Sequence, residues 1–325
     1  MSLQGIFTPN VVPFHEDYSI NEEELRRYVE WLIAKGVSGL YPNGSTGEFI
    51  RLSFEQRLRV VEIMADQNRG RVPILAGAAE PNMEMVLRAA ARYADLGCRA
   101  ISVTGPYYFK VSQDSIEHYF RQLAARSPID IIVYNIPQFS NEISLGVLKR
   151  LVQDCPRIVG IKDSSRDMPR FMDTLNEIKP VRQDFSCLIG CEEILLPVLL
   201  MGADGGTIAT SGVAPEAVMK LYNSFLAGDL AEAKRIQFKL LELIQTMFAA
   251  GNFPEGFREG VNLRGFQTGR CMQPMSPVEQ EHFQNIRQKL ACLLAQCGFA
   301  EAAEFCTRGN AKVAAMLERI HKRIP

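Results

Sequence analysis

The sequence carries no excess of charge of either sign. Its 36 lysines and arginines stand against 37 aspartates and glutamates, a formal net charge of −1. That leaves no basic field for a nucleic-acid backbone and no polybasic patch for an anionic membrane. Long hydrophobic runs are also missing, every uninterrupted apolar stretch falling well short of the ~18 residues of a membrane helix. The opening segment MSLQGIFTPNVVPF has no basic portion and is broken by Pro9 and Pro13, which argues against a secretory leader. Histidine is scarce: His15, His118, His282 and His321 lie far apart, without metal-ligand spacing to a cysteine or carboxylate. Cys187 and Cys191 are near each other but lack further partners, so neither a metal nor a cofactor is expected. No Gly-x-Ser-x-Gly elbow and no phosphate-binding GxxxxGK[ST] loop occurs. The eight cysteines are irregularly spaced in a chain large enough to fold without cross-links. They are expected as reduced thiols packed like small hydrophobes, in a cytoplasmic protein.

What is present is an ordinary globular composition, 47% hydrophobic and 22% charged over 325 residues, enough for one large domain or two modest ones. Short, β-branched apolar runs recur at 5–12, 39–42, 72–76, 100–104, 129–134, 158–162, 185–189 and 205–209. Each is apolar on both faces, as in a parallel strand covered on both sides. Amphipathic helical patterns separate them. Asn21 and Ser53 open two of these as N-caps, with Glu24 and Gln56 in the capping-box position. Further helical patterns cover 81–96, 113–126, 144–154, 166–178, 192–200 and 215–227. Eight strands, each followed by a helix, make a (β/α)8 barrel, an α/β TIM barrel. A doubly wound sheet is the alternative, but no glycine fingerprint follows the first strand. After residue 227 the alternation stops, and 230–249, 255–264 and 277–297 are helical without intervening strands. The expected division is therefore a barrel over 1–227, a C-terminal helical subdomain over 228–298 and an extra helical tail over 299–325 with a basic end, Arg319 to Arg323.

In a barrel, reactive residues gather at the C-terminal strand ends. Lys162 ends the sixth strand, after Ile158, Val159 and Ile161. Burial disfavours its ammonium and is expected to lower its pKa toward neutrality. A neutral amine there adds to a ketone and forms a Schiff base, whose iminium is an electron sink for carbon–carbon chemistry. The structural alternative is a lysine that reaches the rim or pairs with Asp163. Tyr134 ends the adjacent strand and can carry the proton that carbinolamine formation and dehydration require. Ser45 and Thr46, between Gly44 and Gly47, form a turn of backbone N–H groups and hydroxyls suited to a carboxylate.

The motifs Gly44-Ser45-Thr46-Gly47-Glu48, Pro106-Tyr107-Tyr108, Tyr134-Asn135-Ile136-Pro137 and Gly160-Ile161-Lys162 occur in that order. Together they resemble the pyruvate-dependent class I aldolases, the dihydrodipicolinate synthase and N-acetylneuraminate lyase family, from about Gly5 to Gly298. The resemblance implies that Lys162 forms the Schiff base with a 2-oxo acid such as pyruvate, and that Tyr134 shuttles protons. It implies further that Ser45 and Thr46 hold the carboxylate, that Ile208 lines the pyruvate pocket, and that Tyr108 is lent by a neighbouring subunit to complete a relay with Ser45 and Tyr134. A homotetramer built as a dimer of dimers is expected on the same ground.

The substrate follows less directly. Dihydrodipicolinate synthases place an arginine two residues after the Tyr-Asn-x-Pro proline, where this chain has Phe139, and a phenyl ring cannot pair with a carboxylate. The motif detail is nearer to the 2-keto-3-deoxy sugar-acid aldolases, although Ala209 stands where sialic-acid lyases have a substrate-binding serine. Glu192 and Ser164, with Gly190 and Gly47 beside the site, are candidates to contact the hydroxyls of a sugar acid. The reading is a lyase that releases pyruvate and an aldehyde from such an acid. Dihydrodipicolinate synthase, N-acetylneuraminate lyase and keto-deoxy sugar-acid dehydratase activities are the alternatives. A non-catalytic 2-oxo-acid-binding barrel is the reading from another class, and a pure binder has no need of the amine.

Overall fold

The computed structural model describes residues 3–269 and 272–307. Eight strands, all parallel, form one sheet: β1 (Gly5–Pro9), β2 (Gly39–Tyr41), β3 (Leu75–Gly77), β4 (Ala100–Thr104), β5 (Asp130–Asn135), β6 (Ile158–Asp163), β7 (Ser186–Ile189) and β8 (Gly205–Thr207). β1 pairs with both β2 and β8, and a parallel bridge from Leu40 to Ile74 brings β2 against β3, so the sheet curls into a nearly closed barrel. The helices between strands are α1 (Glu22–Ala34), α2 (Phe54–Asn68), α3 (Met83–Asp95), α4 (Gln113–Arg126), α5 (Leu145–Asp154), α6 (Met168–Ile178), α7 (Leu195–Leu200) and α8 (Pro215–Leu226). The (β/α)8 expectation holds. Two strands differ most from the apolar runs that announced them: β1 stops at Pro9 and β3 starts only at Leu75. The apolar residues left over, Val11, Val12 and Ile74, are buried against the helices instead.

The strands bury both faces for different reasons. One set of side chains fills the barrel interior, including Phe7, Tyr41, Leu75, Ala100, Ile132 and Leu188. The alternate set, such as Ile6, Ile131, Val133 and Ile161, packs outward onto the helices. A register shift between Ile131 and Ile132 sets Ile132 opposite Gly160 and Tyr134 opposite Lys162. A side chain at Gly160 would meet the Ser186 carbonyl at 2.6 Å and Ile132 at 2.8 Å. The glycine is what lets these strands close beneath Lys162.

Local capping fixes where the helices begin. Ser53 and Gln56 form the complete reciprocal box at α2. At α1 only half of it forms: Asn21 accepts from the Glu24 N–H, while the Glu24 carboxylate turns to Arg27 and to the Gln267 N–H. The tertiary partner has displaced the local one.

Beyond the barrel come α9 (Leu230–Phe248), α10 (Glu255–Asn262), α11 (Pro277–Gln296) and α12 (Ala300–Thr307). The rest of the tail helix expected over 299–325, with its basic stretch Arg319 to Arg323, lies outside the described residues. Arg258 ties α10 to the barrel: fully buried, it donates to the Val12 and Thr268 carbonyls and to the Glu48 carboxylate. The cysteine expectation needs one correction. Cys292 and Cys306 form a disulfide joining α11 to α12, because the two antiparallel helices bring their Cα atoms to 4.7 Å. Among the described residues Cys98, Cys155, Cys187, Cys191 and Cys297 are free.

Candidate active site

Lys162 is the last but one residue of β6, with its side chain directed into the top interior layer of the barrel and only 4% of its surface exposed. Its Nζ stands 4.1 Å from the ring centroids of both Tyr134 and Tyr41. Asp163 is not its partner. That carboxylate accepts from Asn135 Nδ2 at 2.9 Å and from the Ser165 N–H at 2.8 Å, which braces the ends of β5 and β6. Burial alone pushes the ammonium down, as expected from the sequence. The deprotonated forms of Tyr134, Tyr41 and Glu192 favour the positive charge, however, and the net direction is upward. The expected lowering is therefore corrected: the two phenols packed against the amine outweigh its desolvation.

Above Lys162 the cavity has a volume of about 680 Å³, within the range of small-molecule sites. Of the residues singled out in the sequence, Ser45, Thr46, Tyr134, Phe139, Ser164, Gly190 and Glu192 line it with Lys162. Ser45 and Thr46 lie in a tight turn, Ser45–Gly47, in which the Gly47 and Glu48 N–H groups bond back to Gly44 and Ser45. Among the described residues the N–H groups of Ser45 and Thr46 donate to no protein acceptor. They are left for an anion.

Gly190 is a close-approach position. A Cβ there would fall 2.1 Å from Ser164 Oγ and 3.1 Å from Lys162 Cε. Glu192 is buried and accepts from the Thr210 N–H at 2.7 Å and the Thr210 hydroxyl at 3.2 Å. Burial raises its pKa to about 7, so it exchanges between neutral donor and anionic acceptor near neutral pH.

Three expected residues lie elsewhere. Ile208 is fully buried in the outward-facing core, because Thr207 and Ala209 take the cavity side of that alternating segment. Gly47 is buried in its turn and does not reach the cavity surface. Tyr108 is 90% exposed, with its ring edge-on to Phe109. It does not enter the cavity of its own chain.

The sequence reading missed several members. Tyr41 donates to Ser102 Oγ at 2.7 Å and supplies the second ring against Lys162. An aromatic ending a barrel strand was a signal available for it. The buried Thr207 hydroxyl lines the cavity without a hydrogen-bond partner. Phe248, Phe253 and Phe257, from α9, α10 and the loop between them, form a wall to which no strand-end rule points. Arg166 and Glu193 stand among the lining residues as an ion pair at 3.3 Å. A smaller, more apolar chamber of about 230 Å³ adjoins at Phe139 and Phe253, lined also by Ile50, Thr104 and Tyr107.

The model of the dihydrodipicolinate synthetase family matches residues 2–293. An uncharacterized DapA-like lyase from Thermofilum pendens is 30% identical over 296 residues, 90% of this chain and 97% of that protein. A 4-hydroxy-tetrahydrodipicolinate synthase from Acidiphilium cryptum is 35% identical over 277 residues, 85% of this chain and 93% of that one. Among solved structures, YagE, a prophage protein of this family from Escherichia coli in complex with pyruvate, superposes with a TM-score of 0.84 at 27% identity, covering 89% of this chain and 98% of that one. The chain belongs to the dihydrodipicolinate synthetase family.

Proposed function

We propose that this enzyme is a Schiff-base aldolase that cleaves a 2-keto-3-deoxy sugar acid, or a related 4-hydroxy-2-oxo acid, to pyruvate and an aldehyde. Its standing as a class I aldolase or lyase follows from the family; the substrate is our reading. The observation that carries it is Lys162, buried between Tyr134 and Tyr41 at the floor of a cavity that Ser45 and Thr46 also line, their N–H groups donating to no acceptor among the described residues.

The substrate carboxylate accepts from those two N–H groups, which presents its C2 carbonyl to Nζ. Tyr134 takes the lysine proton as Nζ adds to C2, then protonates the carbinolamine hydroxyl so that it leaves as water. The resulting iminium draws electrons from the C3–C4 bond as the C4 hydroxyl is deprotonated, and the aldehyde departs. Protonation of the enamine at C3 and hydrolysis of the iminium return pyruvate and the free amine. Tyr108 of a second copy completes the relay with Ser45 and Tyr134 in a homotetramer, a reading supported by its exposure beside Phe109 at the cavity end of the barrel. Glu192, Ser164 and Gly190 bound the region that the departing aldehyde occupies. Phe139, where synthases carry arginine, favours the lyase over synthase activity. The five free thiols among the described residues support a cytoplasmic setting, with the Cys292–Cys306 bridge as the exception.

Borohydride reduction with pyruvate, read by intact and peptide mass, tests the mechanism: a pyruvyl adduct is expected on Lys162, and its absence defeats the reading. A panel of keto-deoxy sugar acids set against condensation of pyruvate with aspartate semialdehyde tests the substrate. Rapid condensation with the semialdehyde would overturn the weight given to Phe139.

A further inference from the structure

We propose that Arg166 receives a second anionic group at the far end of the substrate, so that the molecule cleaved is a dianion carrying a carboxylate or phosphate distal to the new aldehyde. The inference rests on the Schiff-base reading and adds the chemistry of the other end.

Two cations line the cavity, Lys162 on its floor and Arg166 at its rim. Lys162 is consumed by the Schiff base, and the first carboxylate is met by neutral backbone donors, so Arg166 is the charge left for any further anion. Its placement is costly. The backbone at Arg166 has φ +64°, the left-handed region that a residue with a Cβ rarely adopts. It sits in the loop between β6 and the cap of α6, where Asp167 already satisfies the helix end by accepting from the Arg170 N–H. The helix therefore does not require an arginine there. Strain of this kind at a cavity rim calls for a functional account.

The guanidinium is positioned but only loosely held. Among the described residues it makes no hydrogen bond; its one polar neighbour is Glu193 at 3.3 Å, and its side chain is 56% exposed. By contrast Arg170, one turn of chain further on, donates to the Ile143 carbonyl and lies 3.4 Å from Asp163. Arg166 instead rests over the Phe248 ring, 5.4 Å from its centroid. An aromatic face holds the planar fork while leaving its edge donors for a bidentate oxyanion. Glu193, on the next strand-end loop, pairs the charge and imposes selectivity, since an anion must chelate the fork to displace it.

Three probes separate the possibilities: a 2-keto-3-deoxyhexonate ending in hydroxymethyl, the matching hexarate ending in carboxylate, and the 6-phosphohexonate. The wild-type enzyme is expected to prefer one of the two dianions over the hydroxymethyl acid by at least tenfold in kcat/KM, the preferred probe identifying the anion. Arg166→Gln should reduce that ratio to near unity through KM, and Arg166→Lys should restore part of it. Arg166→Gly removes the same guanidinium while relieving the left-handed backbone, so the same loss in that variant is not a folding defect. Equal rates on all three probes in the wild type, or a ratio unchanged in Arg166→Gln, overturn the proposal even when the pyruvyl adduct forms on Lys162. A missing adduct is the separate failure of the Schiff-base reading.

Discussion

Lys162 and Glu192 reach the cavity floor from neighbouring strand ends, where the phenols beside Lys162 outweigh its desolvation and burial itself raises Glu192. Lys162→Ala should abolish turnover and pyruvate trapping while leaving the circular dichroism spectrum unchanged, since Ala fits the same strand. Tyr134→Phe keeps the ring against Lys162 but removes the hydroxyl proposed to carry the proton, and kcat is expected to fall by about 10²–10⁴ in steady-state assays. Glu192 gives a prediction on pH. Its folded pKa of about 7 lies above the ordinary 4.5, so the folded state binds that proton more tightly than the unfolded chain does. The stability this contributes is complete below about pH 4.5 and is lost as pH rises through about 7. A shift of this size corresponds to about 3 kcal/mol. Glu192→Gln, which cannot ionise, should therefore gain about that much relative to the wild type between pH 4 and pH 8 in urea unfolding. A difference that stays flat with pH would show that Glu192 is not the buried neutral acid described.

At the scale of elements, polar groups such as Gln237, Arg264 and Arg258 join the C-terminal helices to the barrel, and Arg258 of α10 is the most deeply engaged of these three. It is fully buried, and its partners come from the segment after β1, the turn after β2 and the loop after α10. Removing it leaves the Glu48 carboxylate buried, with Arg51 its remaining cationic neighbour. Arg258→Ala is expected to cost about 3–5 kcal/mol in urea unfolding, the scale for breaking a buried pair. Catalysis should suffer as well as stability, because α9, α10 and their connection carry Phe248, Phe253 and Phe257 over the barrel mouth. The element boundaries were legible wherever the determinant was local. The Ser53–Gln56 box starts α2 as its sequence implies. The Asn21 box did not close, because a residue more than two hundred positions away competes for Glu24.

At the scale of the whole molecule, the disulfide is the feature that composition argued against. Cys292 and Cys306 enclose a short loop, and a cross-link over such a span stabilises by about 3 kcal/mol in the chain-entropy account. Reduction, or Cys306→Ser, should raise amide hydrogen exchange in α12 while leaving the barrel strands protected, since α12 packs chiefly on α11. Protection unchanged after reduction would mean that packing of Phe299 and Ala302 alone secures α12.

The sequence by itself determined the eight-fold alternation, the strand ends and therefore Lys162, Tyr134, Ser45 and Thr46, because period, capping and turn chemistry are written within a few neighbouring residues. Only the tertiary structure decided what faces what. The register shift in β5 turned Tyr134 toward Lys162, alternation turned Ile208 away, and closure of the barrel brought Tyr41 from β2 across to the same amine. Helix packing delivered the phenylalanine wall, the cysteine pair and the ring beneath Arg166. These contacts join segments far apart in the chain, and their energies depend on distances and dielectric surroundings that exist only once the chain has closed on itself.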